Sequence, residues 1–243
     1  MDKEARIWDY VARNASNEIE AGGWRNSYDG KLFSDEEMQE FAADVYIKLK
    51  PYLNSTSTSV LEIGCASGIT MFKIAPYVKR YIGSDMSQVN LNRNQEKIIR
   101  ENIDNIHIVN CKADKINIFQ NEKIDIIIMN SVCQYFGTED YLCDVIKKCI
   151  QVLTRKGIIY IGDVRDADKK EEFEKSIENY CLANKVRNKK RGDSSELFLP
   201  QSFWGELKMD YSEIREIGIS SKIGSIKNEL TKYRYDVLIH VEK

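Results

Sequence analysis

Five short apolar runs recur along the middle of the chain: VLEI at 60–63, RYIGSD at the front of 80–87, IHIVN at 106–110, IDIIIMN at 124–130 and GIIYIGDV at 157–164. The runs are mostly β-branched or aromatic, too short for an independent helix, and separated by longer polar stretches. Such alternation predicts strands joined by helices, hence a parallel sheet covered on both faces. A helical cap through about Leu53 and a polar linker, NSTSTS at 54–59, read as a hinge, precede it. A charged segment from Arg165 to about Asp210 follows the fifth strand, and two more strands close the chain. The expected organisation is one α/β domain over 1–243: a cap or lid at 1–53, a core at 59–164, an insert at 165–212 and C-terminal strands at 213–243. Ligands of open α/β sheets bind outside the carboxyl ends of strands, so cap and insert both belong over the site.

The first run leads straight into a turn of small residues, Gly64, Ala66 and Gly68, before a helix from near Ile69. Small residues let the backbone approach a ligand closely. A dinucleotide fingerprint would put glycine at 64, 66 and 69, but Ala66 and Ile69 stand at the last two positions. That argues against a pyrophosphate on the helix N-terminus. Asp85, 21 positions after Gly64, ends the second run. A carboxylate there can accept hydrogen bonds from both ribose hydroxyls; the alternative is a cap for the helix starting near Gln88.

At 243 residues the chain can bury roughly 70 to 75 per cent of its unfolded surface, enough for a core without metals or disulfides. No apolar run approaches 18 residues, which predicts no membrane span. The start, MDKEARIWDYVARN, lacks the basic-then-apolar order of a secretory signal, so a cytoplasmic protein is expected. Six cysteines without a C-x-x-C pair, and two histidines, predict buried reduced thiols and no zinc site. A net charge of -2 offers no general attraction to nucleic acid. Lys185, Arg187, Lys189, Lys190 and Arg191 form one local cluster, readable as a solvated helix end or as a dock for an acidic partner.

The acid-x-Gly-x-small-x-Gly turn, with Glu62 as its acid, resembles the first motif of class I S-adenosylmethionine-dependent methyltransferases. NSVCQYF at 130–136, GDVRD at 162–166 and NELTKYRYDVLIH at 228–240 narrow the resemblance to the N-methyltransferase domains embedded in nonribosomal peptide synthetases. The last segment matches that family's Asn-Glu-Leu-Ser-x-Tyr-Arg-Tyr signature with Thr231 in place of serine. WRNSYDGKLFSDEEMQEF at 24–41 extends the similarity over nearly the whole chain. The resemblance implies a Rossmann-like, mostly parallel seven-stranded sheet, S-adenosylmethionine as cofactor and S-adenosylhomocysteine as product. It further implies that Ala113 and Asp114 lie against the adenine and Asn130 beside the methionine part, with Tyr28, Glu62, Gly64, Ala66, Gly68, Asp85 and Met86 completing the cofactor site. The chain departs from the family pattern in two respects. Ala66 replaces the middle glycine, and the chain is expected to stand alone, without adenylation or carrier segments.

Methyl transfer from a sulfonium needs an in-line nucleophile held close, and positioning can supply roughly 7 to 11 kcal/mol. An α-amino group of pKa about 7.8 is roughly one-seventh neutral at pH 7, so deprotonation costs only about 1 kcal/mol. An amine therefore needs an orienting acceptor more than a strong base, and Glu229 or Asn228 is the candidate, with Tyr135 beside them. Many O- and C-methyltransferases of this fold carry a histidine where this chain has Gln134 or Tyr135, which disfavours hydroxyl and carbon acids. Trp24, Gln134, Arg165, Arg234 and Tyr235 are assigned to the substrate. Trp24 and Tyr28 either enclose ligand or anchor the cap, and each arginine either forks a carboxylate or phosphate or pairs with Asp163, Asp166 or Asp236. The expected activity is N-methylation of an amino acid or of an aminoacyl or peptidyl amine, free or on an acyl or peptidyl carrier protein, with no nucleic-acid or membrane partner. The alternatives are O-methylation of a small metabolite, a nicotinamide oxidoreductase lacking its third glycine, and a non-catalytic accessory of a synthetase.

Overall fold

The structure, a computed structural model, describes residues 3–186 and 196–243. Seven strands form one sheet in the order β3-β2-β1-β4-β5-β7-β6. They are β1 (Ser59–Ile63), β2 (Arg80–Asp85), β3 (Ile106–Asn110), β4 (Ile124–Asn130), β5 (Leu153–Arg165), β6 (Ile214–Ser221) and β7 (Arg234–Glu242). The first five are mutually parallel, and β7 runs antiparallel to both β5 and β6. This is the mostly parallel sheet expected from the alternating runs.

Successive side chains of a strand point to opposite faces, and the central strands use both. Val60, Ile126, Ile128, Ile158 and Tyr160 pack under α3 (Asp35–Leu49), α4 (Ile69–Ile74) and α5 (Gln88–Arg100). Leu61, Ile63, Ile127, Met129, Ile159 and Ile161 pack under α6 (Glu139–Val152) and α8 (Phe203–Asp210). Burial on both sides explains why these runs read as continuous apolar strands. Cys65, Cys111, Cys133 and Cys149 are buried, Cys143 and Cys181 are half-buried, and none is in a disulfide. Among the described residues no helix is long and apolar enough to cross a membrane.

The cap comprises α1 (Lys3–Arg13), α2 (Glu18–Ala21) and α3. It is bolted to the start of α5: buried Asp9 accepts from Ser87 Oγ (2.9 Å) and Val89 N (3.1 Å), and Asn90 and Arg93 donate to carbonyls of Ala21 and Ala12. The segment at 54–58 is a closed turn and not the expected hinge, because Thr58 N donates to Asn54 O and Lys79 N to Thr58 O. The insert carries α7 (Lys170–Asn184) and α8, and the β6–β7 connection carries α9 (Glu229–Lys232). Cap, insert and α9 meet at the carboxyl ends of β4 and β5.

Candidate active site

On the cofactor side the turn after β1 needs left-handed backbone at all three small residues, with φ of 76° at Gly64, 43° at Ala66 and 84° at Gly68. A methyl group at Gly64 would stand 2.6 Å from Val132 Cγ2, and one at Gly68 2.5 Å from the Phe72 ring, so both glycines are required. Ala66 has no such freedom, and its conformation costs about 1–2 kcal/mol. Two hydrogen bonds hold it: Ala66 N donates to Asp85 Oδ2 (2.8 Å) and Asn94 Nδ2 to Ala66 O (2.8 Å). Asp85 also accepts from Ser87 N (2.7 Å), while the side-chain cap of α5 is Ser87 itself, through Oγ to Asn90 N. The capping alternative for Asp85 therefore falls away. Burial pushes its carboxyl up, and the backbone donors of Ser87 and Ala66 partly counter this.

Around this turn several buried polar atoms have no hydrogen-bond partner among the described residues: Ser67 Oγ, Asp114 Oδ1, Asn130 Oδ1 and Gln134 Oε1. Each unpaired group of this kind costs about 1–3 kcal/mol, which a polar ligand or water would offset. Asn130 is aimed by its own amide, Nδ2 donating to Thr70 Oγ1 (3.0 Å), and Gly162 leaves room for its oxygen. Ala113 is buried beside Asp114, and Met86 is half-buried with its carbonyl accepting from Asn110 Nδ2. Buried Glu62 accepts from Tyr81 OH (2.8 Å), and burial pushes its carboxyl up to about 8. These acceptors suit the exocyclic amine, ribose hydroxyls and cationic end of S-adenosylmethionine.

On the acceptor side, the ends of β5 and β7 bring charged groups together out of water. Arg234 pairs with Glu229 Oε1 (3.2 Å) and Asp163 Oδ2 (3.5 Å), and Arg165 with Glu196 of the insert (2.7 Å). Burial lowers both guanidinium values. For Arg234 the carboxylates of Asp163 and Glu229 more than offset it and raise the value; for Arg165, Arg234 adds to the lowering. Glu229 also accepts from Ser27 N (2.7 Å) and Ser27 Oγ (2.9 Å), tying the cap to the site. Asp163 and Ser131 hold φ of 60° and 59°, left-handed backbone without glycine, costing about 1–3 kcal/mol each and typical of strained functional positions.

A family model described as a methyltransferase domain matches residues 54–233. The chain belongs to this family. It is an S-adenosylmethionine-dependent methyltransferase with the class I sheet. Chondramide synthase of Chondromyces crocatus is 29% identical over 233 residues, covering 90% of this chain and 6% of the synthase. A probable non-canonical nonribosomal peptide synthetase, CymA of Salinispora arenicola, is 28% identical over 221 residues, again 90% of this chain but 3% of the synthetase. The methyltransferase thus spans a small fraction of the curated relatives it matches. The N-methyltransferase NodS of Bradyrhizobium japonicum, solved with S-adenosylhomocysteine, shares its fold at a TM-score of 0.62 and 16% identity, covering 99% of this chain and 98% of that one.

Several residues assigned from sequence occupy other places in the methyltransferase. Asn228 caps α9: Oδ1 accepts from Leu230 N and Thr231 N while Nδ2 donates to Glu37 (2.8 Å), so its amide is spent on structure. Glu229 lies in the first turn of α9, and both of its oxygens are engaged by Ser27 and Arg234. Tyr235 is buried, accepting from Trp204 Nε1 (2.8 Å) and donating to Leu199 O (3.0 Å), a core contact and not a substrate contact. Trp24 packs edge-on against Phe41 (4.6 Å between centroids) with Phe33, Met38 and Leu230, an anchor for the cap. Tyr28 hydrogen-bonds Ser176 (2.9 Å) and packs edge-on against Phe173 and Tyr180 of α7, so its contacts join cap to insert and do not reach the glycine turn. Tyr135, half-exposed, packs edge-on against Trp8, and Gln134 donates to Ser131 Oγ (2.9 Å). Of the basic cluster, Lys185 ends α7 with φ of 54°, whereas Arg187, Lys189, Lys190 and Arg191 lie outside the described residues. Sequence reasoning missed Ser27 as a partner of Glu229 and took Asp163 only as an ion-pair residue; no local signal announces the β-bulge that turns it inward.

Proposed function

We propose that this methyltransferase moves the methyl group of S-adenosylmethionine to the amino nitrogen of an amino acid, or of an aminoacyl or peptidyl group held on a carrier protein. The observation that carries the reading is the make-up of the acceptor side, where three carboxylates face two arginines and no histidine stands. His107 is exposed on β3, and His240 lies on β7 beside Tyr52. Carboxylates suit an amine, which is deprotonated at a cost of about 1 kcal/mol and gains positive charge as it is methylated. A hydroxyl would need a firmer base. The peptide-synthetase relatives support an amino-acid-derived amine as substrate.

In this reading Asp85 takes the ribose hydroxyls, Asp114 and Ala113 the adenine, and Asn130 the methionine part. The cofactor supplies the methyl carbon on a sulfonium; the protein orients the amine in line with it and excludes water. The test compares an aminoacyl thioester of N-acetylcysteamine with its α-hydroxy counterpart, using methyl-labelled cofactor. Label enters the amine probe if the reading is right; label in the hydroxy probe alone favours O-methylation.

Glu62 yields a separate prediction. With its carboxyl near 8 it is mostly protonated at pH 7, and a cofactor whose sulfonium gives it a net positive charge favours the ionised form. Cofactor binding at pH 7 is expected to release up to about one proton, read by calorimetry in buffers of different protonation enthalpy. Glu62→Gln abolishes the release, and buffer-independent heats in the wild type would contradict the assignment.

A further inference from the structure

We propose that Asp163 Oδ1, and not Glu229, receives the substrate's amino group, with Arg234 holding the other oxygen of that carboxylate. The inference deepens the N-methylation reading and rests on it. Glu229 already accepts three hydrogen bonds, two at Oε1 from Ser27 Oγ and Arg234 and one at Oε2 from Ser27 N, whereas Asp163 Oδ1 is buried and has no hydrogen-bond partner among the described residues. A buried acceptor left open beside a fixed cation marks a place for a donor.

The backbone is bent to put it there. The pairing of β5 with β7 shifts register between Ile161 and Val164, a bulge that re-aims a side chain, and Asp163 sits inside it with φ of 60°. Its N–H donates to Asp236 Oδ1 (2.7 Å), which pins the bulge. The preceding Gly162 pairs with Asn130 on β4 and accepts from Ser131 N (3.0 Å), so Asp163 adjoins the turn carrying Asn130 and Val132, the latter against Gly64. It therefore lies between the cofactor side and the acceptor side. Arg234 alone faces two carboxylates, Asp163 and Glu229, so an N–H donor on Asp163 Oδ1 meets an acceptor that one guanidinium only partly satisfies.

The chemistry follows. The neutral amine donates one N–H to Oδ1, and its lone pair attacks the methyl carbon. The carbon–sulfur bond breaks with its electron pair kept by sulfur, giving the neutral thioether. The new secondary ammonium remains paired with Asp163 and gives its proton to water on release.

The test uses the full chain as wild type, Asp163→Asn and Glu229→Gln. Asparagine tolerates left-handed backbone as aspartate does, so Asp163→Asn keeps the fold. Binding of the aminoacyl N-acetylcysteamine thioester and of its deamino analogue is measured by calorimetry with saturating S-adenosylhomocysteine, and turnover with labelled cofactor. In Asp163→Asn the amine probe is expected to bind about 10- to 100-fold more weakly and kcat to fall roughly 100-fold. Affinity for the deamino analogue and for the cofactor stays at the wild-type value, and Glu229→Gln keeps the preference for the amine. Equal losses for both probes, wild-type turnover in Asp163→Asn, or loss of amine preference only in Glu229→Gln overturn the proposal while N-methylation stands. A wild type that labels the hydroxy probe and not the amine overturns both.

Discussion

Asp85→Ala is expected to weaken binding of S-adenosylmethionine and S-adenosylhomocysteine by at least tenfold. Hydrogen bonds from two ribose hydroxyls to a charged acceptor are worth about 1.5–3 kcal/mol each, and about 1.4 kcal/mol is a factor of ten. The substitution also releases Ala66 N and Ser87 N, and with them the turn that keeps Ala66 left-handed. Stability suffers less than affinity, because removing this carboxylate also removes the burial penalty that pushes its value up. Titration calorimetry, alongside urea unfolding of the unliganded protein, separates the two effects. Wild-type affinity in a folded Asp85→Ala protein would show that another acid takes the ribose.

The second large effect is expected behind the site. Lys222 pairs with Asp44 (2.8 Å) and Asp236 (3.0 Å), and Lys48 pairs with both carboxylates as well, a balanced set of four buried charges between α3 and β7. Lys222→Met leaves two buried carboxylates to one ammonium and is expected to cost about 3–5 kcal/mol at pH 7. Burial alone would raise the carboxyl of Asp236, but Lys222 and Lys48 hold it below the ordinary range. Its contribution is therefore present above the ordinary carboxylate range and is lost as pH falls through the lower folded value. Lys222, held above its ordinary value, contributes below that ordinary value and loses its contribution as pH rises through the higher folded one. In the variant the uncompensated carboxylates take up protons, so the deficit should shrink on going from pH 7 to pH 4. Urea unfolding at the two pH values checks this, and a deficit under about 1 kcal/mol at pH 7 would contradict the role. Because Asp236 accepts the N–H of Asp163, turnover should fall too.

The sheet and the turn after β1 were legible in the sequence because their signals are local. Strands buried on both faces write themselves as apolar runs, Gly64 and Gly68 write the left-handed turn, and the distance to Asp85 writes the end of β2. The acceptor side is long-range. Ser27 meets Glu229 across 202 positions, Arg165 finds Glu196 in the insert, and the bulge at Asp163 exists only because β7 enters antiparallel beside β5. Motif resemblance singled out the segment at 228–235 but could not say which of its polar groups are consumed by the fold. Asn228 and Tyr235 are consumed, as a helix cap and a core contact, while Arg234 joins the charged cluster.

Methyl transfer to nitrogen at a carboxylate-lined site can be checked with a probe that offers both atoms. The N-acetylcysteamine thioester of serine carries an α-amine and a hydroxyl in one small molecule. Incubated with the methyltransferase and S-adenosylmethionine bearing a ¹³C methyl group, its product is examined by NMR for coupling of the new methyl to nitrogen-bearing or oxygen-bearing carbon. A single N-methyl product is expected; an O-methyl product with the amine untouched would rule out nitrogen as the acceptor.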